Sequence, residues 1–335
     1  MAGVPQARRV RILGTGVATR DGLVPSADLD RDLGLAPGTV EARTGVVTRH
    51  VERQRSAAAL GADAARQALA AAGLTLADID CIVAASGTPD QAMPCNAALL
   101  MHELDPASAR TPAFDINASC LSFLVALDTL SYLVEAGRYR HVLIVSSDIA
   151  SCGLNWTQLE SSGIFGDGAA AAIIGPAGDT ASALRSSSFV TISEGAHTCE
   201  IKGGGSRYHP SRITEPFAPL TMFEMDGKAV FRLAGERLPS FVADVMAASG
   251  LAIGDMDVVV PHQASAHALA FARRRLRLRR EQMIDIFVDH GNQVSASMPS
   301  ALHAAIHSGR LRRGGHALLI GTGAGVSLGG MVLCY

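Results

Sequence analysis

The chain resembles itself, and that self-likeness restricts its fold more than any single motif. "LADIDCIVAASGT" (Leu76 to Thr88) matches "IGDMDVVVPHQAS" (Ile253 to Ser265) in pattern, and each follows a long helical stretch closed by "AAG" or "ASG". "FGDGAAAAIIG" from Phe165 is mirrored by "GTGAGVSLGGMVL" from Gly321. Two similar βαβαβ halves, residues 1–176 and 187–335, joined where Gly, Ser and Ala dominate near 176–186, account for this economically. Packed face to face, such halves bring the turns at corresponding strand ends to one central cleft.

Local patterning agrees. Short apolar, β-branched runs alternate with Ala/Leu stretches of helical spacing, the signature of an α/β protein with buried sheets. The spacing predicts, among others, a strand over "MIDIFVDHG" (283–291), a helix from Cys120 to Gly137 and a helix from Ser265 to Arg280. At 335 residues, 48% of them hydrophobic and 18% charged, the chain has ample material for a large core. A net charge of −2 supplies no basic field, so neither nucleic acid nor an anionic membrane is an expected partner. No run approaches the roughly 20 apolar residues of a membrane span, and the opening residues lack the apolar core of a secretory leader. The six cysteines show no CxxC spacing, which argues against a zinc site or a disulfide framework and for a reducing compartment. A cytoplasmic location is the expectation.

Three of the converging turns carry chemistry. In "AFDINASCLSFLVALD" a thiol, Cys120, stands between a strand-like run and a helix. A helix start favours a thiolate and offers N–H groups to an oxyanion, so Cys120 reads either as an activated nucleophile or as an inert packed thiol. In "VVVPHQAS" His262 ends a buried strand, as a core histidine or a participant. In "VDHGNQVSASMPSAL" Asn292 follows Gly291, as turn chemistry or as a carboxamide donor; His290 has the weaker case, because alternation points it away from the cleft. Together they give a nucleophile and two neutral hydrogen-bonding groups at equivalent strand ends.

These motifs, with "FGDGAAAAIIG" and the terminal "GTGAGVSLGG", resemble β-ketoacyl-acyl-carrier-protein synthase III and its relatives in the thiolase superfamily, over essentially the whole chain. The resemblance implies a thiolase-like fold with a layered αβαβα core and a homodimer. It implies that Cys120 accepts an acyl group from an acyl thioester, on coenzyme A or acyl carrier protein, and that His262 and Asn292 bind a malonyl thioester that decarboxylates. The backbone N–H groups of Cys120 and Ala324 would hold the oxyanion. No metal or organic cofactor is implied. Arg43, in "ARTGVVTRH", falls near the family's pantetheine entrance and Phe231 beside the catalytic cysteine, while Arg232, Arg274 and Arg275 fall where relatives dock the carrier protein.

Departures bear on substrate. Thr39 and Leu159 stand where housekeeping members clamp the coenzyme A adenine between Trp and Arg, an arrangement worth about 1 kcal/mol or more. Met93 replaces a Phe that caps the partner's acyl pocket, which implies a specialised rather than an acetyl starter. The polar stretch "GGGSRYHPSRITEP", with Arg207, His209 and Arg212, reads as a surface loop. Two alternatives stand beside the condensing reading. One is an acyltransferase or non-decarboxylative condensing enzyme, which needs a carboxylate base in the cleft, with Glu103 and Asp90 as candidates. The other is a degenerate, non-enzymatic partner subunit, which the presence of Cys120, His262 and Asn292 opposes.

Overall fold

The computed structural model describes residues 7–105 and 110–335; the first six residues, where the leader reading begins, lie outside them. In chain order the strands are β1 (Val10–Val17), β2 (Leu23–Pro25), β3 (Thr48–His50), β4 (Cys81–Ala84), β5 (Ala113–Asp115), β6 (Val142–Asp148), β7 (Gly168–Pro176), β8 (Ala183–Thr191), β9 (Cys199–Glu200), β10 (Glu224–Met225), β11 (Val258–Pro261), β12 (His316–Gly323) and β13 (Ser327–Cys334). The α-helices are α1 (Ser26–Asp32), α2 (Thr39–Thr44), α3 (Ala57–Ala72), α4 (Asn96–Leu104), α5 (Ser122–Glu135), α6 (Leu159–Ser162), α7 (Gly227–Ser249), α8 (Ala266–Arg275), α9 (Phe287–His290) and α10 (Ser297–His307).

Two sheets repeat one plan. The first runs β1-β7-β6-β4-β5 and the second β8-β13-β12-β11. In each, two antiparallel pairings are followed by a parallel one, and β5 adds a further parallel strand to the first. The repeat extends to detail: Asp78 and Asp255 each accept a hydrogen bond from the backbone N–H three residues earlier, just before β4 and β11.

The layers follow from which helix faces are apolar. α5 is buried on most sides through Phe123, Leu124, Leu127 and Leu130, and is exposed only at Thr129, Tyr132 and Glu135 in its C-terminal half. With Met298, Ala301 and Leu302 of α10 it forms one core joining Val83, Ile144 and Ile174 of the first sheet to Val260, Leu319 and Met331 of the second. α3 and α4 cover the outer face of the first sheet through Ala64, Ala68 and Leu100. α7 and α8 cover that of the second through Phe241, Val245 and Leu269. The result is the αβαβα core that the resemblance implies. Buried Arg8 reaches Asp128 at 2.5 Å, with Ser131 and Tyr132 of the central helix and Ser187 of β8, and so ties the chain just before β1 to both. Among the described residues no helix is long and apolar enough to cross a membrane.

Three expectations are corrected. The segment 283–291 is not a strand: it touches the second sheet through one bridge, Val259 with Met283, and then turns into α9. Side chains draw it away, because Ile286 N–H donates to Gln263 Oε1 and Phe287 N–H to the Asp285 carboxylate. α8 stops at Arg275, since Arg277 adopts a left-handed φ of 53°. α5 begins at Ser122, two residues after Cys120.

Candidate active site

Between the strand ends lies a cavity of about 1000 Å³. Cys120, His262, Asn292, Phe231 and Ala324 all line it, so the structure brings these five predicted residues together. Two glycines mark how closely the walls approach. A methyl group on Gly321 would meet His262 Cβ at 2.9 Å and Leu121, beside the thiol, at 3.2 Å. One on Gly87 would meet Val294, two residues from Asn292, at 2.9 Å and Ser119 Cα at 3.4 Å.

Cys120 sits on a turn held by Ser122, whose hydroxyl accepts from Ala118 N–H at 2.9 Å and donates to the Ser119 carbonyl at 2.6 Å. Ser119 takes a left-handed φ of 53° to aim the next residue inward. The thiol is enclosed by protein and reached through the cavity. Burial pushes it above its ordinary range, Cys199 and Asp148 add to this, and the backbone N–H groups of Cys120 and Ala324, directed at the sulfur, act in the opposite sense. This corrects the expectation of a helix-depressed thiol: Cys120 precedes the helix and desolvation dominates.

His262 is 5% exposed, and burial holds its imidazole down to about 4, so it is neutral at physiological pH. Its Nδ1 has no hydrogen-bond partner among the described residues. Asn292 is also 5% exposed. Its Oδ1 accepts from Val294 N–H at 2.9 Å and from Ser297 Oγ at 3.4 Å, while Nδ2 donates to the Ala264 carbonyl at 3.3 Å. With Oδ1 occupied behind it, the carboxamide presents its second N–H as a donor. Val294, next to this loop, holds a φ of 51° and Val326, after Ala324, one of 54°; a left-handed β-branched residue is an outlier that its surroundings must enforce.

Phe231 belongs to the cavity wall, and the remaining predicted residues lie off it. Phe231 packs edge-on against Phe271 with ring centroids 4.7 Å apart, on the cavity's outer wall. Exposed Arg43 pairs at 3.2 Å with Glu160, a lining residue. Thr39 is half-buried and off the cavity wall, and Leu159 is buried. Met93 is 83% exposed and does not line this chain's cavity. Arg232 pairs with Glu194 at 3.8 Å, while Arg274 and Arg275 are exposed in the last turn of α8. Neither proposed carboxylate base reaches the cavity: Asp90 caps α3 through Ala57 and Ala58 N–H, and Glu103 is exposed on α4. The loop 203–216 stays outside, but its flanks, Cys199 to Ile201 and Thr221 to Met225, build a wall.

Sequence reasoning missed Cys152, Cys199, Ile201 and Phe223 on that wall, for which no spacing gave a signal. It also missed Asp148, fully buried at the end of β6. Its carboxylate accepts from Gly87 N–H at 2.8 Å, Thr88 N–H at 2.7 Å and Ser295 N–H at 3.1 Å, and from the hydroxyls of Thr88 and Ser295. One carboxyl group thereby fixes the wall beside Cys120 to the loop carrying Asn292. Burial pushes this carboxyl up and its donors pull it back.

Comparison with known proteins agrees. Residues 114–194 match the family described as 3-oxoacyl-[acyl-carrier-protein (ACP)] synthase III, and residues 246–335 match its C-terminal part. The chain is 32% identical over 329 residues to β-ketoacyl-[acyl-carrier-protein] synthase III of Symbiobacterium thermophilum, covering 97% of this chain and 98% of that one. Its structure is similar to that of 3-oxoacyl-(acyl carrier protein) synthase III from Pseudomonas aeruginosa PAO1, with a TM-score of 0.87 at 29% identity and 98% of each chain covered. It is also similar to the priming β-ketosynthase of the R1128 polyketide pathway, with a TM-score of 0.86 at 30% identity, covering 98% of this chain and 97% of that one.

Proposed function

Because the chain belongs to the 3-oxoacyl-(acyl-carrier-protein) synthase III family of acyl-transferring condensing enzymes, we propose that it loads an acyl group on Cys120 and extends it by decarboxylative condensation with a malonyl thioester. In the first half-reaction the Cys120 sulfur attacks the thioester carbonyl carbon and the donor thiol leaves. The tetrahedral oxyanion lies against the N–H groups of Cys120 and Ala324. A thiol raised by burial attacks as its proton departs, and the neutral His262 imidazole is the base at hand. The thiol proton ends on the leaving donor.

In the second half-reaction the malonyl C–C bond breaks, CO₂ leaves, and its electron pair forms an enolate whose oxygen takes hydrogen bonds from His262 and Asn292. The enolate carbon then attacks the Cys120 thioester and expels the sulfur. The observation that carries this reading is that a buried neutral imidazole and a pre-oriented carboxamide line one cavity with the thiol. Proton abstraction without decarboxylation finds less support: among the described residues the carboxylates lining the cavity are Glu160, paired with Arg43, and Glu200, paired with His197.

Finer features belong to the same proposal. The roomy, largely apolar wall of Leu154, Ile201, Phe223 and Met225 suits a starter larger than acetyl. Arg43 held by Glu160, with Thr39 and buried Leu159 in place of a clamp, favours a donor on a carrier protein, docked at Arg232, Arg274 and Arg275. The enzyme works as a cytoplasmic homodimer, with Met93 at the partner's pocket.

The test is intact-protein mass after incubation of wild type and Cys120→Ala with acyl-coenzyme A and acyl-carrier-protein donors, before and after malonyl-carrier protein is added. The proposal expects an acyl adduct on wild type alone that is discharged with CO₂ and a chain-extended product. Discharge to another acceptor without CO₂ would move the function to acyl transfer.

A further inference from the structure

Arg49 is fully buried in β3, yet no carboxylate pairs with it among the described residues. Burying a cation costs several kcal/mol unless its surroundings compensate, so what the guanidinium touches is informative. Nη1 donates to the carbonyls of Gly163 and Phe165, the latter at 3.4 Å, and Nη2 donates to Ser26 Oγ at 2.7 Å, while Nε has no partner. Burial draws the group down to about 10, which leaves it charged at neutral pH.

The two carbonyls bracket Ile164, whose own carbonyl faces the other way and accepts the Asn292 N–H at 2.8 Å. Gly166 N–H returns the bond to the Asn292 carbonyl at 3.1 Å, and Gln293 Nε2 donates to the Asp167 carbonyl at 3.0 Å. The segment 163–167 is therefore a cradle stitched to the Asn292 loop on one side and to Arg49 on the other. Its thickness is one residue: a methyl on Gly166 would lie 2.2 Å from the His290 carbonyl oxygen and 3.2 Å from Arg49 Cβ. β3 adds a second stitch, because the His50 carbonyl accepts Asp167 N–H at 2.9 Å.

We propose that Arg49 is a positioning residue for the decarboxylation step: it polarises and fixes the carbonyls of the 163–167 cradle and thereby sets the Asn292 carboxamide against the substrate. The assignment rests on the role proposed above for Asn292. Arg49 touches neither Cys120 nor the oxyanion N–H groups, so it governs one half-reaction and leaves the other alone.

The experiment compares wild type with Arg49→Met in two assays and one activity-independent measurement. Loading of Cys120, followed by intact mass under single-turnover conditions, should stay within about twofold. Release of ¹⁴CO₂ from malonyl-carrier protein should fall by about a hundredfold, the scale of a small misplacement of a reacting group. Amide hydrogen exchange at Asn292 and Gly166 should quicken while that of α3 is unchanged. Equal loss in both half-reactions, or CO₂ release and exchange like wild type, overturns the proposal. Should Arg49→Met not fold, Ser26→Ala removes one acceptor of Arg49, together with the bond that the Ser26 hydroxyl donates to the Val46 carbonyl, and should show the same split, with CO₂ release down by about threefold to tenfold; no split there also overturns it. If wild type itself releases no CO₂, the reading of Asn292 fails, and amide exchange still tests the hold of Arg49 on the cradle.

Discussion

His262 has a folded-state value of about 4 against 6.5 for the free side chain, and that gap is a statement about stability. Below 6.5 the unfolded chain takes up a proton that the native site refuses until the pH nears 4. Stability is therefore complete above 6.5 and is lost as the pH falls from 6.5 to 4, by roughly 3 kcal/mol for this group. His290 and His303, each also near 4, act in the same direction. Urea midpoints should fall between pH 7.5 and pH 5, and His262→Asn should shrink that fall; a midpoint unchanged by pH contradicts the buried neutral imidazole. Cys120 gives the second prediction at this scale. In the free enzyme its alkylation by iodoacetamide should climb through pH 9 without an earlier plateau, whereas a plateau near neutrality would mean a preformed thiolate. That Cys120, His262 and Asn292 share one cavity was legible in the sequence because each ends a strand or turn in a patterned half. Their ionisation was not. A helix start lowers the pKa of a locally solvated thiol, whereas burial of Cys120 outweighs it here and reverses the sign, with Cys199 and Asp148 adding to the rise.

Apolar residues at helical spacing mark the central helix α5 in the sequence. Leu130 on it is fully buried between the sheets, so Leu130→Ala should cost about 3 kcal/mol of unfolding free energy, read as a lower denaturation midpoint with the slope unchanged. A cost below about 1 kcal/mol would mean that the layer collapses into the cavity rather than holding its shape. The segment 283–291 shows where patterning misleads. It is a short, largely apolar run of the kind a buried strand shows, and its place in the second half corresponds to β5 in the first. Yet Gln263 and Asp285 supply side-chain partners that compete for its N–H groups, and one bridge is all that survives of the fifth strand. Propensity and period see the residue types; they do not see a glutamine from the neighbouring turn. The cradle 163–167 was hidden for the same reason, since "GIFGDG" is legible as a turn but its partners lie more than a hundred residues away in each direction.

At the scale of the molecule the repeat was the most informative signal, because a shared plan of strand order fixes which ends meet and hence where the cavity forms. What the repeat did not reveal is how the halves divide the middle layer. α5 lies on the first half's stretch of chain and α10 on the second's, and each packs against both sheets through one core. The connection between β7 and β8 is meanwhile short and exposed from Gly178 to Ala181. A gene cut there would yield two polypeptides that each carry one sheet and one unpartnered apolar helix face. Such fragments should be insoluble when made singly and should reassemble into an active, nicked enzyme when made together, as co-purification and restored acyl loading would report. Two independently soluble fragments would mean that the joint core is dispensable. The middle layer thus makes the enzyme a candidate for a split reporter, in which recovered activity records that two halves have met.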